Sequence, residues 1–361
     1  MTPRARAVAF YLPQFHPIPE NDRFWGEGFT EWTNVRRARP LFPGHDQPVE
    51  PGELGYYDLR DPGARAAQAA LASQHGVEAF CWWHYWFAGR RVLERPFDEV
   101  LRSGEPGLSF CLGWANHSWT GVWQGAPGRV LLEQTYPGPH DDAAHFRAVL
   151  PALRDERALR VEGRPVFVLF DPGALPDLRG FVAHWRHLAR AAGLPGLFFV
   201  GLRSSEGPAW DDLDATASLT PDRLMARSSL RSTLAALGPA RTAEHLARRA
   251  LGQRPRAPRV FSYDDALRDP WTPGPRELPC VFPRWDNTPR TGGHGRVFLG
   301  CSPDRFAAAA RRAVAQVEPR PPERRLVFIK AWNEWAEGNM LEPCGRWGRA
   351  YLEALRGALT D

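Results

Sequence analysis

Eight short apolar runs that do not alternate with polar residues constrain this chain more than any other feature. They are Val8–Tyr11, Val77–Trp82, Leu108–Trp114, Val166–Phe170, Leu197–Leu202, Ala215–Leu219, Cys280–Phe282 and Leu326–Ile329. Unbroken runs of this length suit strands buried on both faces, as in a parallel sheet covered by helices. Between them lie segments with helical spacing: Ala64–His75, Phe97–Arg102, Asp141–Arg154, Leu178–Ala192, Leu224–Leu237, Pro303–Val317 and Trp347–Leu355. Eight strands and intervening helices in 361 residues predict the α/β class. The expected architecture is a single (β/α)8 TIM barrel over residues 1–361, with long loops at the C-terminal face. A doubly wound open sheet competes, weakened because no Gly-x-Gly-x-x-Gly follows the first strand.

Polar and aromatic residues recur just after these runs. Gln14, Phe15 and His16 follow the first, Trp83 to Trp86 the second, and Asn116 to Trp119 the third. Asp171 follows the fourth, Thr220 and Asp222 the sixth, Trp285 to Asn287 the seventh, and Trp332 to Glu334 the eighth. Barrels build active sites at this end of their strands, so the pattern points to an enzyme without help from any motif. The 15 tryptophans gather in the same segments. Some fill the core, and the rest are expected to line a cleft. Residues 17–62 form a long segment too aromatic for disorder, read as a wall or lid over that cleft. Residues 254–279, rich in Pro and Arg, read as a mobile edge.

The net charge of +5 comes almost wholly from arginine, and Lys330 is the sole lysine. The arginines are dispersed rather than striped, which argues against nucleic acid as a partner. Five scattered cysteines without metal spacing read as reduced thiols. The apolar stretch Ala7–Leu12 is too short for a signal core, and no run spans a bilayer. These features predict a cytoplasmic protein with no membrane span.

The last run leads into Lys330-Ala331-Trp332-Asn333-Glu334-Trp335-Ala336-Glu337-Gly338. Acids can move protons and stabilise positive charge, while indole faces stack on sugar rings. Retaining glycosidases hold two carboxyls about 5–5.5 Å apart, and inverting ones about 6.5–9.5 Å. Residues three apart in an extended strand lie about 10 Å apart, on opposite faces. Glu334 and Glu337 can therefore act together only if the strand turns near Trp335, which Gly338 permits. Lys330 would hold one carboxylate ionised. Glu342 is a third acid at hand. His16, His84 and His117 lack metal-ligand spacing and are read as donors to hydroxyls, so no metal or other cofactor is expected. Gln14, Asn116, Asn333, Asp286 and Asn287 are of the type that reads adjacent hydroxyls.

Tyr11-Leu12-Pro13-Gln14-Phe15-His16-Pro17, Trp25-Gly26-Glu27-Gly28-Phe29-Thr30-Glu31-Trp32, Cys81-Trp82-Trp83-His84-Tyr85-Trp86-Phe87, Trp114-Ala115-Asn116 and Trp332 to Gly338 resemble the WbsX-type proteins. The resemblance runs from residue 8 to about 355. It implies a domain similar to glycoside hydrolase family 99, and a place among enzymes of surface-polysaccharide (O-antigen or lipopolysaccharide) loci as possible partners. It further implies Glu337 as general acid/base and Glu334 as a base at the sugar 2-hydroxyl, through a 1,2-epoxide. It places Tyr11 in the same site. The residues expected to meet the glycan are Tyr11, Gln14, His16, Trp25, Glu31, Trp32, His84, Tyr85, Trp114, Asn116, Trp119, Trp285, Asp286, Trp332, Asn333, Trp335 and Glu342. The expected function is a retaining glycoside hydrolase or transglycosidase on a mannoside-like bacterial oligosaccharide or polysaccharide. A glycosyltransferase and a non-catalytic glycan-binding barrel are the alternatives.

Overall fold

The computed structural model describes residues 3–121, 126–203, 210–219 and 257–360, with positions 221, 224, 225, 243, 247 and 250. Most of the helix expected at Leu224–Leu237, with Thr220 and Asp222, lies outside the described residues.

Eight parallel strands close into a barrel. They are β1 (Arg6–Tyr11), β2 (Val77–Phe87), β3 (Ser109–Trp114), β4 (Arg164–Leu169), β5 (Phe198–Arg203), β6 (Ala215–Leu219), β7 (Glu277–Val281) and β8 (Leu326–Ile329). Each pairs with its chain neighbours, and β1 closes the ring by pairing with both β2 and β8. A closed barrel leaves no open sheet edge. Helices over Pro62–Gln74, Arg95–Ser103, Pro139–Arg154, Leu178–Ala191, Pro303–Val317 and Ala350–Thr360 cover the outside. Several start on cap chemistry legible in the sequence: Asp61, Asp177 and Ser302 accept first-turn N–H groups.

Four expectations change. The second strand runs five residues past its expected end at Trp82, so Trp83 to Trp86 lie inside it rather than in a loop. The seventh strand starts at Glu277, earlier than expected, because Pro279 interrupts the sequence signal without ending the strand. Residues 17–62 contain two short helices, Pro19–Trp25 and Glu31–Arg37. Within the Pro- and Arg-rich stretch, Arg259–Ser262 is a strand paired with Arg296–Leu299, and a helix follows at Tyr263–Arg268.

Alternation along the strands sorts the aromatics into two layers. On β2, Trp83 stacks on Phe10 at 4.9 Å, inside the barrel. Gly113 on β3 makes room for it: a Cβ there would meet Cys81 Sγ at 3.1 Å and the Trp83 ring at 3.2 Å. Trp82, His84 and Trp86 face outward. Trp82 packs on Phe97 of a surrounding helix, and His84 and Trp86 stack on His145 of another.

Candidate active site

The chain after β8 does turn at Trp335. Residues Trp335–Glu337 form one 3-10 turn, and Gly338 takes a left-handed φ of 56°. A Cβ on Gly338 would lie 2.9 Å from Asp286 Cβ and 3.1 Å from its carbonyl oxygen. The turn is therefore pressed against the loop after β7, where Asp286 N donates to Glu337 O at 2.7 Å. Asp286 is fixed in turn by His45 Nε2 at 2.8 Å, Gln47 Nε2 at 2.7 Å and the Thr288 hydroxyl at 2.6 Å. Burial would raise its carboxyl, but these partners hold it below the usual range.

This turn brings both glutamates to one cavity of about 410 Å³ at the C-terminal end of the strands. Glu334 accepts from Trp83 Nε1 and from Lys330 Nζ, each at 2.9 Å. Glu337 Oε1 accepts from Arg290 Nη1 at 2.5 Å, and its Oε2 lies 3.6 Å from Lys330 Nζ. Arg290 also donates to Glu31 Oε1 at 2.6 Å, and Glu31 accepts from Ala336 N at 3.1 Å. The aromatic segment thus reaches the turn that carries Glu337 through a fully buried carboxylate.

The two glutamates are driven apart electrostatically. Burial would raise Glu334, but the Lys330 ammonium, a hydrogen bond shared with Glu337 and the Arg290 charge outweigh it and hold it down at about 2. Burial pushes Glu337 up to about 7, with the Glu334 charge adding to the rise while Arg290 and Lys330 oppose it. The split favours Glu334 as the ionised member of the pair and Glu337 as the one that holds a proton. The Glu337 side chain keeps 17% exposure, enough to meet a ligand.

Of the residues expected from sequence, Gln14, Trp25, Tyr85, Trp119, Trp285, Glu334 and Glu337 line this cavity. Others do not, because they hold the scaffold. Tyr11 Oη donates to Gln68 and Gln68 Nε2 to Glu342, each at 2.6 Å, while Tyr57 Oη and Trp335 Nε1 donate to the other Glu342 oxygen. Asn333 exchanges two hydrogen bonds with the Leu12 backbone, tying β1 to β8. Asn116 does the same with the Asp171 backbone. Trp32 donates to Tyr57 O at 2.7 Å and packs on Trp335. Trp332 is fully buried against Phe80. His16 bonds Pro13 O, and His84 and Trp114 face the outer layer at His145. Glu31 and Asp286 act from behind the wall, as described above.

The cavity also holds His117, Asn287 and Lys330, likewise expected from the sequence, and Asn21, Trp83, Arg290 and Arg296, which were not. Trp83 was findable, since it shares the face of Tyr85 two residues on. Arg290 and Asn21 gave no signal, because each reaches the site from a short helix, Thr288–Thr291 and Pro19–Trp25, that only the fold brings near. Among the described residues no cluster of three or more His, Cys, Asp or Glu is placed to hold a metal ion, and no helix is long and apolar enough to cross a membrane. Cys301 is half-buried, and Cys81, Cys111, Cys280 and Cys344 are buried; all five are free thiols.

Residues 7–355 match the family described as Glycosyltransferase WbsX. The chain belongs to that family. It is 40% identical over 361 residues to a protein described as uncharacterized protein WxcX of Xanthomonas campestris pv. campestris strain B100, and equally to that of strain ATCC 33913. The match covers 99% of this chain, and the chain spans about half the length of these relatives. Among solved structures, a glycoside hydrolase-like protein superposes with a TM-score of 0.58 at 12% identity, covering 100% of this chain and 95% of that one. The family 99 endo-α-mannosidase of Bacteroides thetaiotaomicron gives 0.51 at 16% identity, over 99% and 97%. At these identities the likeness is one of fold, the (β/α)8 barrel.

Proposed function

We propose that the protein is a carbohydrate-active enzyme that breaks or transfers a glycosidic bond with retention of configuration. The observation that carries this reading is the split between the two carboxyls in one aromatic cleft, Glu334 ionised and Glu337 able to hold a proton at neutral pH. Pairs of acids pushed apart in this way divide base and acid roles. Glu334 takes the proton of the sugar 2-hydroxyl as that oxygen attacks C1. Glu337 gives its proton to the departing glycosidic oxygen. A 1,2-anhydro sugar results, with Glu334 protonated and Glu337 ionised. Water, or an acceptor hydroxyl, then attacks C1 and yields its proton to Glu337, while the epoxide oxygen recovers the proton on Glu334. Two inversions at C1 give net retention. Attack from O2 requires it to lie trans to the leaving group, as in an α-mannoside. Trp25, Trp83, Trp119 and Trp285 supply faces for sugar rings.

The family description favours a second reading, transfer from a sugar nucleotide to a growing polysaccharide. One screen separates the two. Bacterial polysaccharides are incubated with the wild-type chain and with Glu337→Gln, and sugar nucleotides are titrated in parallel. The proposal expects Glu337-dependent release of oligosaccharides whose first-formed anomer, read by proton NMR, is the retained one. Saturable sugar-nucleotide binding without any release would favour the transferase.

A further inference from the structure

The cavity carries a surplus of hydrogen-bond donors. Gln14 Nε2, Asn21 Nδ2 and Trp285 Nε1 are buried without an acceptor, and all three residues line it. Buried donors are costly unless a ligand supplies oxygen. The other charges of the site are matched within it: Lys330 by Glu334 and Glu337, Arg290 by Glu337 and Glu31. Arg296 is different. It lines the same cavity and is exposed, its guanidinium meets the Met225 sulfur at 3.4 Å, and no carboxylate pairs with it among the described residues.

Its position is built rather than accidental. Arg296 N donates to Asn287 Oδ1 at 2.7 Å, and Asn287 N donates to Arg296 O at 3.2 Å. Two residues on, Phe298 N donates to Trp285 O at 2.8 Å. The strand that starts at Arg296 is thus pinned to two other residues of the cavity wall. With Glu337 protonated for catalysis, Arg290, Arg296 and Lys330 face Glu31 and Glu334, leaving one positive charge over.

We infer that the site takes a glycan bearing an anionic group, a uronate carboxylate or a phosphate ester, held by Arg296 beside Trp285. This rests on the reading that the site acts on glycans. A guanidinium fork pairs with such oxyanions through two parallel hydrogen bonds, which a neutral hydroxymethyl group cannot match.

The test uses matched probes. Fragments of a uronate-bearing polysaccharide are compared with their carboxyl-reduced form, and fragments of a phosphate-bearing one with their dephosphorylated form. Each is titrated into the chain carrying Glu337→Gln, so that nothing is cleaved. One charged form is expected to bind roughly tenfold tighter than its neutral counterpart. That preference should shrink with added salt, fall to about one in Arg296→Gln and return in part in Arg296→Lys. The probe that shows it distinguishes carboxylate from phosphate. Equal affinity for charged and neutral forms, unmoved by Arg296→Gln, overturns the inference and leaves the glycan reading standing. Failure of every form to bind, with no cleavage by the wild-type chain, overturns both.

Discussion

Glu337 is set by its neighbours, and each neighbour has a separable effect. On the proposed mechanism its proton goes to the leaving group, so kcat/KM should fall as pH rises through about 7. Arg290 opposes the rise, so Arg290→Gln should move that basic limb upward. Lys330 is the first charge holding Glu334 down. Lys330→Met should therefore raise Glu334 and bring an acid limb into the measurable range. A pH–rate series on the three proteins checks both signs. The same shift carries a stability consequence. Glu337 binds its proton more tightly folded than unfolded, so its contribution is present below its ordinary value and lost as pH rises through about 7. Glu334 works the other way, its contribution being lost only as pH falls through about 2.

The element that matters most is the turn Trp335–Glu337 with Gly338. Ala at 338 meets a left-handed φ, worth about 1–2 kcal/mol, and the Asp286 backbone behind it. Gly338→Ala should lower Tm by several degrees and shift Glu337 from the cavity, cutting kcat more than binding. Calorimetry and kinetics on that variant measure the two effects. The need for this turn was readable in advance, because a strand cannot place residues three apart on one side. Its partners were not. Glu31 is 305 residues from Ala336 and Glu337 47 residues from Arg290, so nothing local marks those contacts. Tyr11, His84 and Trp114 carry the right chemistry at the right strand ends, yet the two-residue alternation of the strands turns them to the helix layer. Counting alternation from Trp83 and Tyr85 would have separated them.

At the scale of the whole molecule, the barrel was legible because parallel strands buried on both faces leave continuous apolar runs. The same architecture persists at 12% identity in the glycoside hydrolase-like structure, where few side chains are shared. Within this frame the chain has one lysine, and it lines the cavity. Carbon-13 labelling of lysine should therefore give a single ε-methylene NMR signal. That signal, from a side chain whose Nζ lies 3.6 Å from the Glu337 carboxyl, should report the Glu337 titration near pH 7, and the change should vanish in Glu337→Gln. The central claim, that Glu334 and Glu337 together act on a glycosidic bond, is tested most directly by turnover of a glycan found in the screen. Initial rates are compared for wild type, Glu334→Gln and Glu337→Gln, with affinity measured alongside. The account predicts that each variant binds the glycan but loses roughly 10²–10⁴-fold in kcat. Turnover unchanged in either variant would contradict it.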